Sequence, residues 1–199
     1  MDDSVKQAMA KWPNVPHCYG WLALDARGGW RMRDETAQQA GLAGDRIAHE
    51  ALLGFINRNY ASDDEGRWYF QNGPQRVYVD LEATPYVART DPAQGFLLQT
   101  GEALAQLDAA YMTERGQLIL QGGDKLAMVD DRDLAQCTGA LSMDGAPASD
   151  ERLMQWLGEA EPAPMTLKHQ GLELPVQRVA SATLAQQFGF VQQPRAQAS

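Results

Sequence analysis

GRWYFQNGPQRVYVDLEATPYVAR, residues 66–89, is the stretch on which the fold depends. An aromatic run leads into Asn72-Gly73, and apolar and polar residues then alternate through residues 77–81. Asn-Gly between two such runs is typical of a β-hairpin, because both residues tolerate positive φ. We therefore expect a hairpin over residues 66–80 with its turn at Asn72-Gly73.

A helix over residues 50–60 is predicted just before this hairpin. Leu52, Phe55 and Ile56 recur at helical spacing and form one apolar face. An isolated hairpin is marginally stable in water, so we expect this face to cover one side of the hairpin's sheet.

Further hairpins flank the glycine pairs at residues 28–29 and 122–123, and another is expected near His169. Short helices lie between them, so the fold class is α+β, with hairpin–helix units in two packed lobes. We expect an N-terminal lobe over residues 1–90 and a second lobe over residues 91–149. A C-terminal unit over residues 150–191 and a disordered tail over residues 192–199 complete the layout.

One short pattern, a basic residue, an aliphatic residue and alanine, occurs three times between a strand pair and a helix. The segments are Arg46-Ile47-Ala48, Lys125-Leu126-Ala127 and Arg178-Val179-Ala180. We interpret them as equivalent positions in three hairpin–helix units, with the aliphatic side chain inward and the basic one outward. Chance resemblance among short apolar patterns is the alternative.

Composition narrows the classes of partner. The chain has 199 residues, 44% of them hydrophobic, and a net charge of -9. This acidic balance disfavours nucleic acid and anionic membranes as partners. Its N-terminus lacks the apolar segment of a signal peptide, and no apolar run is long enough to span a bilayer. Two cysteines do not form a disulfide framework, so we expect reduced thiols in a cytoplasmic protein.

The chain is similar to families that are known only as domains of unknown function. Two segments near the N-terminus, WPNVP at residues 12–16 and YGWL at residues 19–22, together with residues 66–89, resemble a proteobacterial family of this kind over the whole chain. Residues 20–139 also resemble a second uncharacterised family of repeated hairpin–helix motifs. The resemblance implies two small lobes and a role in signalling, and it supplies no catalytic residues.

An exposed aromatic surface is the strongest candidate for a binding site. Alternation places Trp68 and Phe70 on one face of their strand and Tyr69 on the other. Rings beside arginines can contact a ligand or a protein. The candidate ligand-binding residues are Arg58, Trp68, Tyr69, Asn72, Arg76 and Tyr78. The alternative is that these rings form a core between lobes and that Arg58 pairs with Asp63 or Asp64.

We expect no metal, cofactor or catalytic set. The three histidines and two cysteines lack the spacing of a zinc site, and the sequence has no P-loop, GxSxG or HExxH motif. A non-catalytic module that binds a small molecule or a protein, with a regulatory role, is the favoured function. A hydrolase- or transferase-like enzyme using His17 or His49, and a structural homodimer, remain alternatives.

Overall fold

The computed structural model describes residues 1–160 and 162–196, and the chain divides into two compact units. Met1–Pro85 and the segment from Phe188 onward form the first unit, and Tyr86–Gln187 form the second. The boundary between the two units, after Pro85, thus lies five residues before the boundary predicted at residue 90. Residues 150–187 belong with the second unit, because their last strand pairs with a strand that begins at Ala109.

The first unit is built on a mixed sheet. Its elements are α1 Asp3–Lys11, β1 Cys18–Leu24, β2 Trp30–Met32, α2 Glu35–Gln39, β3 Asp45–Arg46, α3 Glu50–Arg58, β4 Tyr60–Ser62, β5 Trp68–Asn72 and β6 Gln75–Leu81. The strand order is β3-β2-β1-β6-β5-β4. Neighbouring strands are antiparallel except for β1 and β6, which run parallel.

The central hairpin is confirmed, with its turn one residue later than predicted. Asn72 pairs with Gln75, so Gly73 and Pro74 form the two-residue turn. Gly73 has a φ of 57°, which a glycine adopts without strain. Proline suits the second turn position, because its fixed negative φ follows the positive φ of the first residue and its missing N–H is not needed there.

The two faces of the first sheet differ in character. Helix α3 covers an apolar face, where the Phe55 and Phe70 rings meet edge to face at 5.3 Å. Val79 and Ile56 are almost fully buried. By strand register, Arg31, Ala23 and Asp80 share the opposite face, as do Tyr69 and Tyr78. The second face therefore carries the charged and hydroxyl-bearing side chains of the sheet.

The second unit is built on a longer sheet. Its elements are β7 Tyr86–Asp91, β8 Gly95–Leu98, β9 Ala109–Thr113, β10 Leu118–Gly122, β11 Lys125–Val129, α4 Leu134–Thr138, β12 Leu141–Met143, β13 Ala146–Pro147, α5 Asp150–Gly158, β14 Met165–His169, β15 Leu172–Val179, a 3-10 turn Ser181–Thr183 and α6 Leu184–Phe188. The order is β13-β12-β14-β15-β9-β10-β11-β7-β8. The predicted α+β class is confirmed, with short helices beside two sheets.

The second sheet is strongly curved. The Phe96 ring on β8 lies 4.8 Å from the His169 ring at the end of β14, although several strands separate β8 from β14. Gly95 allows this approach, since a Cβ there would lie 2.5 Å from Nε2 of His169. Leu118, Ile119 and Leu120 are consecutive and fully buried, which places the core at the middle of the sheet.

Parallel pairing of an early strand with a later one recurs along the chain. β1 pairs with β6, β7 with β11, and β9 with β15. Lys125-Leu126-Ala127 lies in β11, whereas Arg178-Val179-Ala180 spans the end of β15. Arg46, by contrast, lies in the edge strand β3 and pairs antiparallel with β2. The predicted equivalence is therefore wrong for the first segment. In the first unit the later strand of the parallel pair is β6, and Arg46 lies in β3.

The predicted directions are confirmed for the three aliphatic residues and for two of the three basic residues, whereas Lys125 is half-buried. Ile47, Leu126 and Val179 are 8%, 7% and 5% exposed. Arg46 and Arg178 lie on the surface. Burial of the aliphatic residue thus follows from strand alternation even where the strand's place in the sheet differs.

The part of the expected tail that the structure describes is attached to β6. Leu81 donates its backbone N–H to the carbonyl oxygen of Gln192 at 2.7 Å, and Arg195 forms an ion pair with Asp80. Residues 197–199 of that tail, and Glu161 of the predicted spacer, lie outside the described residues. Within the described ranges, no helix combines the length and the apolar character needed to cross a membrane.

We predict that Ile47→Ala lowers the free energy of unfolding by about 2–5 kcal/mol, because it leaves a cavity beside Trp30. The backbone N–H of Ile47 donates to Trp30 at 2.9 Å, which holds this residue against the sheet. Urea unfolding followed by tryptophan fluorescence measures the change. Arg46→Ala is the matched control and should shift stability by less than about 0.5 kcal/mol. Equal losses in both variants would contradict the prediction.

Candidate functional site

Three of the predicted binding residues do not come together. Arg58, at the end of α3, pairs with Asp2, with 3.3 Å between Nε and Oδ1. Trp68 lies on the apolar face of the sheet, where its ring contacts that of Tyr60 at 4.9 Å. Asn72 ends β5 and is exposed. The predicted pairing of Arg58 with Asp63 or Asp64 is therefore replaced by a contact with the N-terminus of α1.

The other three predicted residues form a cluster on the polar face. The Arg76 guanidinium lies 4.5 Å from the centre of the Tyr69 ring. The Tyr69 and Tyr78 rings meet at 5.9 Å, and Tyr19 stacks on Tyr78 at 4.7 Å. The Tyr78 hydroxyl donates to Oδ2 of Asp63 at 2.9 Å. Alternation along β5 and β6 thus gathers three of the six candidate side chains on one face.

Asp63 connects this cluster to Arg67. Two guanidinium nitrogens of Arg67, Nε and Nη2, each lie 2.8 Å from Oδ2 of Asp63. Burial favours protonation, but the backbone N–H and guanidinium of Arg67, with the Tyr78 hydroxyl, hold the pKa of Asp63 below its usual value. Burial raises the pKa of Tyr78. An ionised Asp63 and a neutral Tyr78 therefore satisfy each other, which gives the cluster a structural role.

The two histidines considered as catalytic bases have other roles. His49 is the N-cap of α3, and its Nδ1 accepts the backbone N–H of Leu52 at 3.3 Å. His17 contacts the edge of the Tyr78 ring at 5.7 Å. His17 is exposed, and partial desolvation, followed by the charges of Arg76 and Arg67, lowers its pKa. Neither histidine lines the cleft described below.

The cysteines are free thiols, as expected for a chain with two cysteines and no disulfide framework. Cys18 is half-buried and Cys137 is buried. Burial, with a smaller effect of the Asp133 charge, raises the pKa of Cys137 to about 11. In the described part of the chain, no group of three or more His, Cys, Asp or Glu side chains is placed to hold a metal ion.

A cleft of about 300 Å³ opens on the polar face of the first sheet. It lies beside β1, β2 and the end of β6, and the loop after α2 forms one wall. Its lining residues are Ala23, Leu24, Asp25, Arg31, Arg33, Gly41, Leu42, Ala43, Asp80, Leu81, Glu82 and Gln193. Arginines, carboxylates and a few aliphatic side chains therefore meet in one place.

The carboxylates of this cleft are engaged by groups of the protein. Asp25 accepts the backbone N–H groups of Gly29 and Arg27 at 2.7 and 3.0 Å. It also accepts Nε of Arg31 at 2.8 Å. Burial would raise the pKa of Asp25, but these hydrogen bonds hold it below its usual value. Asp25 therefore stays ionised and closes the β1–β2 turn.

The other two carboxylates are engaged in the same way. Asp80 is 8% exposed and accepts Nη1 of Arg33 and Nη1 of Arg195, each at 2.7 Å. Glu82 accepts the backbone N–H of Ala26 at 2.9 Å. Each acidic group of the cleft thus already holds at least one donor of the protein.

The arginines of the cleft keep donors to spare. Arg31 bonds Asp25 through Nε, and Arg33 bonds Asp80 through Nη1. Nε of Arg33 is buried without an acceptor among the described residues. A guanidinium has five N–H donors, so each side chain retains several. The cleft therefore contains arginine N–H groups that have no acceptor among the described residues.

The sequence does not show this site, because its residues are far apart along the chain. The one local sign is Arg31-Met32-Arg33, which places two arginines on the same face of a strand. The sequence predicted the β1–β2 hairpin, but it did not place Asp80 beside β1. Parallel pairing of β1 with β6 does so, by setting Ala23 opposite Asp80.

Fold and cleft together define an α+β protein with an arginine-lined cleft in its first unit. The chain belongs to a family of unknown function: the family model DUF2944, described as "Protein of unknown function (DUF2946)", matches residues 1–195. This confirms the expected membership of an uncharacterised family. Comparison with curated proteins finds no match.

Comparison with solved structures gives one match to report. A DUF1285 family protein from Silicibacter pomeroyi DSS-3 matches with a TM-score of 0.49 and 12% sequence identity. The match covers 84% of this chain and 85% of that chain.

We predict that stability falls between about pH 7.5 and pH 5.5, and that His17→Asn reduces this loss. The folded state lowers the pKa of His17, so the unfolded chain binds more protons as the pH falls below the usual histidine pKa. The loss of stability due to His17 is absent at high pH, where the imidazole is neutral in both states. It is complete below the pKa of His17 in the folded state. Urea midpoints at the two pH values measure it. An equal fall in the wild type and His17→Asn would contradict this role for His17.

Proposed function

We propose that the protein is a non-catalytic module that binds a small anionic ligand in the cleft of the first unit. The observation that carries the proposal is the set of arginine N–H groups in the cleft that have no acceptor in the described part of the protein. Asp25, Asp80 and Glu82 are engaged, whereas Arg31 and Arg33 retain unused donors. A ligand that fits this surplus is rich in acceptors, and a carboxylate or phosphate matches guanidinium geometry best.

The register of β2 and β3 supports an anionic ligand. Arg31 on β2 lies directly opposite Arg46 on β3. Like charges at directly opposed positions destabilise an antiparallel pair. Asp25 offsets part of this repulsion through Arg31, but Arg46 remains exposed. A local arrangement that costs stability is expected where a binding site needs it.

The remaining lining limits the size and character of the ligand. A cleft of about 300 Å³ is at the small end of ligand sites. Leu42 is 57% exposed and lines one wall of the cleft together with Ala43. We therefore expect an anionic group attached to a short apolar portion.

The other functions have weaker support. An enzyme using His17 or His49 would place that histidine beside its substrate, yet the cleft lining contains neither. The predicted homodimer, the regulatory role and the bacterial and cytoplasmic setting stay predictions. Tyr69, Arg76 and Tyr78 stay candidates for a ligand contact, although their polar groups bond within their own cluster.

We predict that Arg31→Ala weakens anion binding about tenfold to a hundredfold, because a hydrogen bond between charged groups contributes about 1.5–3 kcal/mol. Isothermal titration with inorganic phosphate, phenyl phosphate and hexanoate measures binding and separates phosphate from carboxylate and polar from apolar ligands.

Arg115→Ala is the matched control for this measurement. It removes the same charge from an exposed position, 73% exposed, in the second unit. Its affinity should equal that of the wild type. Failure of all three probes to bind the wild type, or equal affinities in Arg31→Ala and Arg115→Ala, would contradict the proposed function.

A further inference from the structure

We propose that Arg195 is a positioning residue of the cleft: it neutralises Asp80 and thereby leaves the donors of Arg33 available to an anionic ligand. This inference rests on the proposed function and assigns part of the site to the C-terminal segment, residues 189–195. Arg195 does not touch the ligand in this scheme. Its effect on binding passes through Asp80 and Arg33.

Asp80 is the group through which Arg195 acts. Arg195 approaches both carboxylate oxygens, with Nη1 2.7 Å from Oδ1 and Nη2 3.4 Å from Oδ2. Arg33 shares Oδ2, with its Nη1 at 2.7 Å. The Asp80 carboxylate thus lies between two guanidinium groups, and each guanidinium offsets part of its negative charge. A carboxylate that is only 8% exposed requires such partners, since burial of an unpaired charge is costly.

Both terminal nitrogens of Arg195 donate to groups of the protein, although the side chain is 55% exposed. Besides Asp80, Nη1 donates to the carbonyl oxygen of Pro194 at 2.8 Å and Nη2 to Oε1 of Gln193 at 3.2 Å. Its side chain is therefore held by its own segment and by Asp80. Arg33, in contrast, bonds Asp80 through a single nitrogen. Arg33 lines the cleft and Arg195 does not, so Arg33 is the arginine of this pair whose remaining donors are placed for a ligand.

The C-terminal segment is seated on the first unit by backbone contacts that fix Arg195. The backbone N–H of Val191 donates to the carbonyl oxygen of Gly66 at 2.9 Å, and that of Leu81 donates to Gln192 at 2.7 Å. Phe190 is 7% exposed. Gly66 allows the segment to pass, because a Cβ there would lie 2.1 Å from the carbonyl oxygen of Gly189. These contacts bring residue 195 to the end of β6.

Loss of Arg195 should change the cleft in a defined way. Asp80 would then depend on Arg33 alone, and a bidentate pair is the preferred geometry of arginine with carboxylate. Arg33 would donate a second N–H to Asp80. The net charge beside the cleft would also become more negative by one, because the Arg195 guanidinium is lost. Both changes weaken the binding of an anion.

The test is a double-mutant cycle on Arg195 and Asp80 that measures binding affinity. The probe is the one of inorganic phosphate, phenyl phosphate and hexanoate that binds the wild type most tightly. Arg195→Ala should weaken binding about tenfold, the loss expected for one charged hydrogen bond. Adding Asp80→Asn to Arg195→Ala should restore most of the affinity, because the neutral amide no longer needs a second guanidinium. Arg195→Lys should lie between the wild type and Arg195→Ala, since it keeps the charge without the two-pronged contact.

The outcomes separate this inference from the proposed function. If Arg31→Ala weakens binding and Arg195→Ala does not, the cleft binds anions but Arg195 has no part in it. If Arg195→Ala weakens binding and Asp80→Asn fails to restore it, Arg195 acts by direct contact or by supporting the fold, and the inference is overturned. Urea midpoints of each variant, compared with Arg115→Ala, identify a loss of binding that follows from unfolding, and that result also overturns it.

Discussion

Parallel pairing of β1 with β6 is the constraint on which the first unit depends. It sets Leu22 opposite Val79 and Leu24 opposite Leu81, so that two buried pairs form on the apolar face. Parallel strands cannot be joined by a tight turn, so a long connection separates β1 from β6. The chain uses that connection to supply β2, α2, β3, α3, β4 and β5. The hairpins on either side therefore acquire a shared core only when β1 and β6 meet.

The same pairing creates the polar face and the cleft. Asp80 alternates with Val79 along β6, so burying Val79 against α3 directs Asp80 to the opposite face. There it lies beside Ala23, whose small side chain leaves room for longer neighbours. Arg33 and Arg195 then converge on one carboxylate from β2 and from the C-terminal segment. Core packing on one face thus determines the charge arrangement on the other.

Local sequence patterns predicted the hairpins and helices well, since turn residues and apolar periodicity act over a few residues. The helix predicted over residues 50–60 occurs as Glu50–Arg58, and the hairpin predicted at residues 28–29 occurs as β1–β2. Asn72 was placed in a turn because Asn-Gly favours one, but its pairing with Gln75 moved the turn to Gly73-Pro74. The cleft could not be predicted, because it depends on parallel pairing between strands about 60 residues apart, which no local pattern encodes.

Each parallel pair is closed at its carboxyl end by an acidic side chain that accepts a backbone N–H. Glu82 accepts from Ala26 beyond β1 and β6, and Asp133 accepts from Thr90 beside β7 and β11. Glu114 accepts the backbone N–H of Ser181 beyond β9 and β15, and the Ser181 hydroxyl, followed by this N–H, lowers the pKa of the Glu114 carboxyl group. Such charge-assisted bonds are stronger than neutral ones.

In the first unit this closure has a consequence for the cleft. Glu82 lines the cleft, yet its carboxylate is bound to the backbone of the turn that follows β1. Asp25, in the same turn, is bound to Gly29 and Arg27. The acids at this edge therefore serve the fold, and the arginines beside them supply the unused hydrogen-bond donors of the cleft.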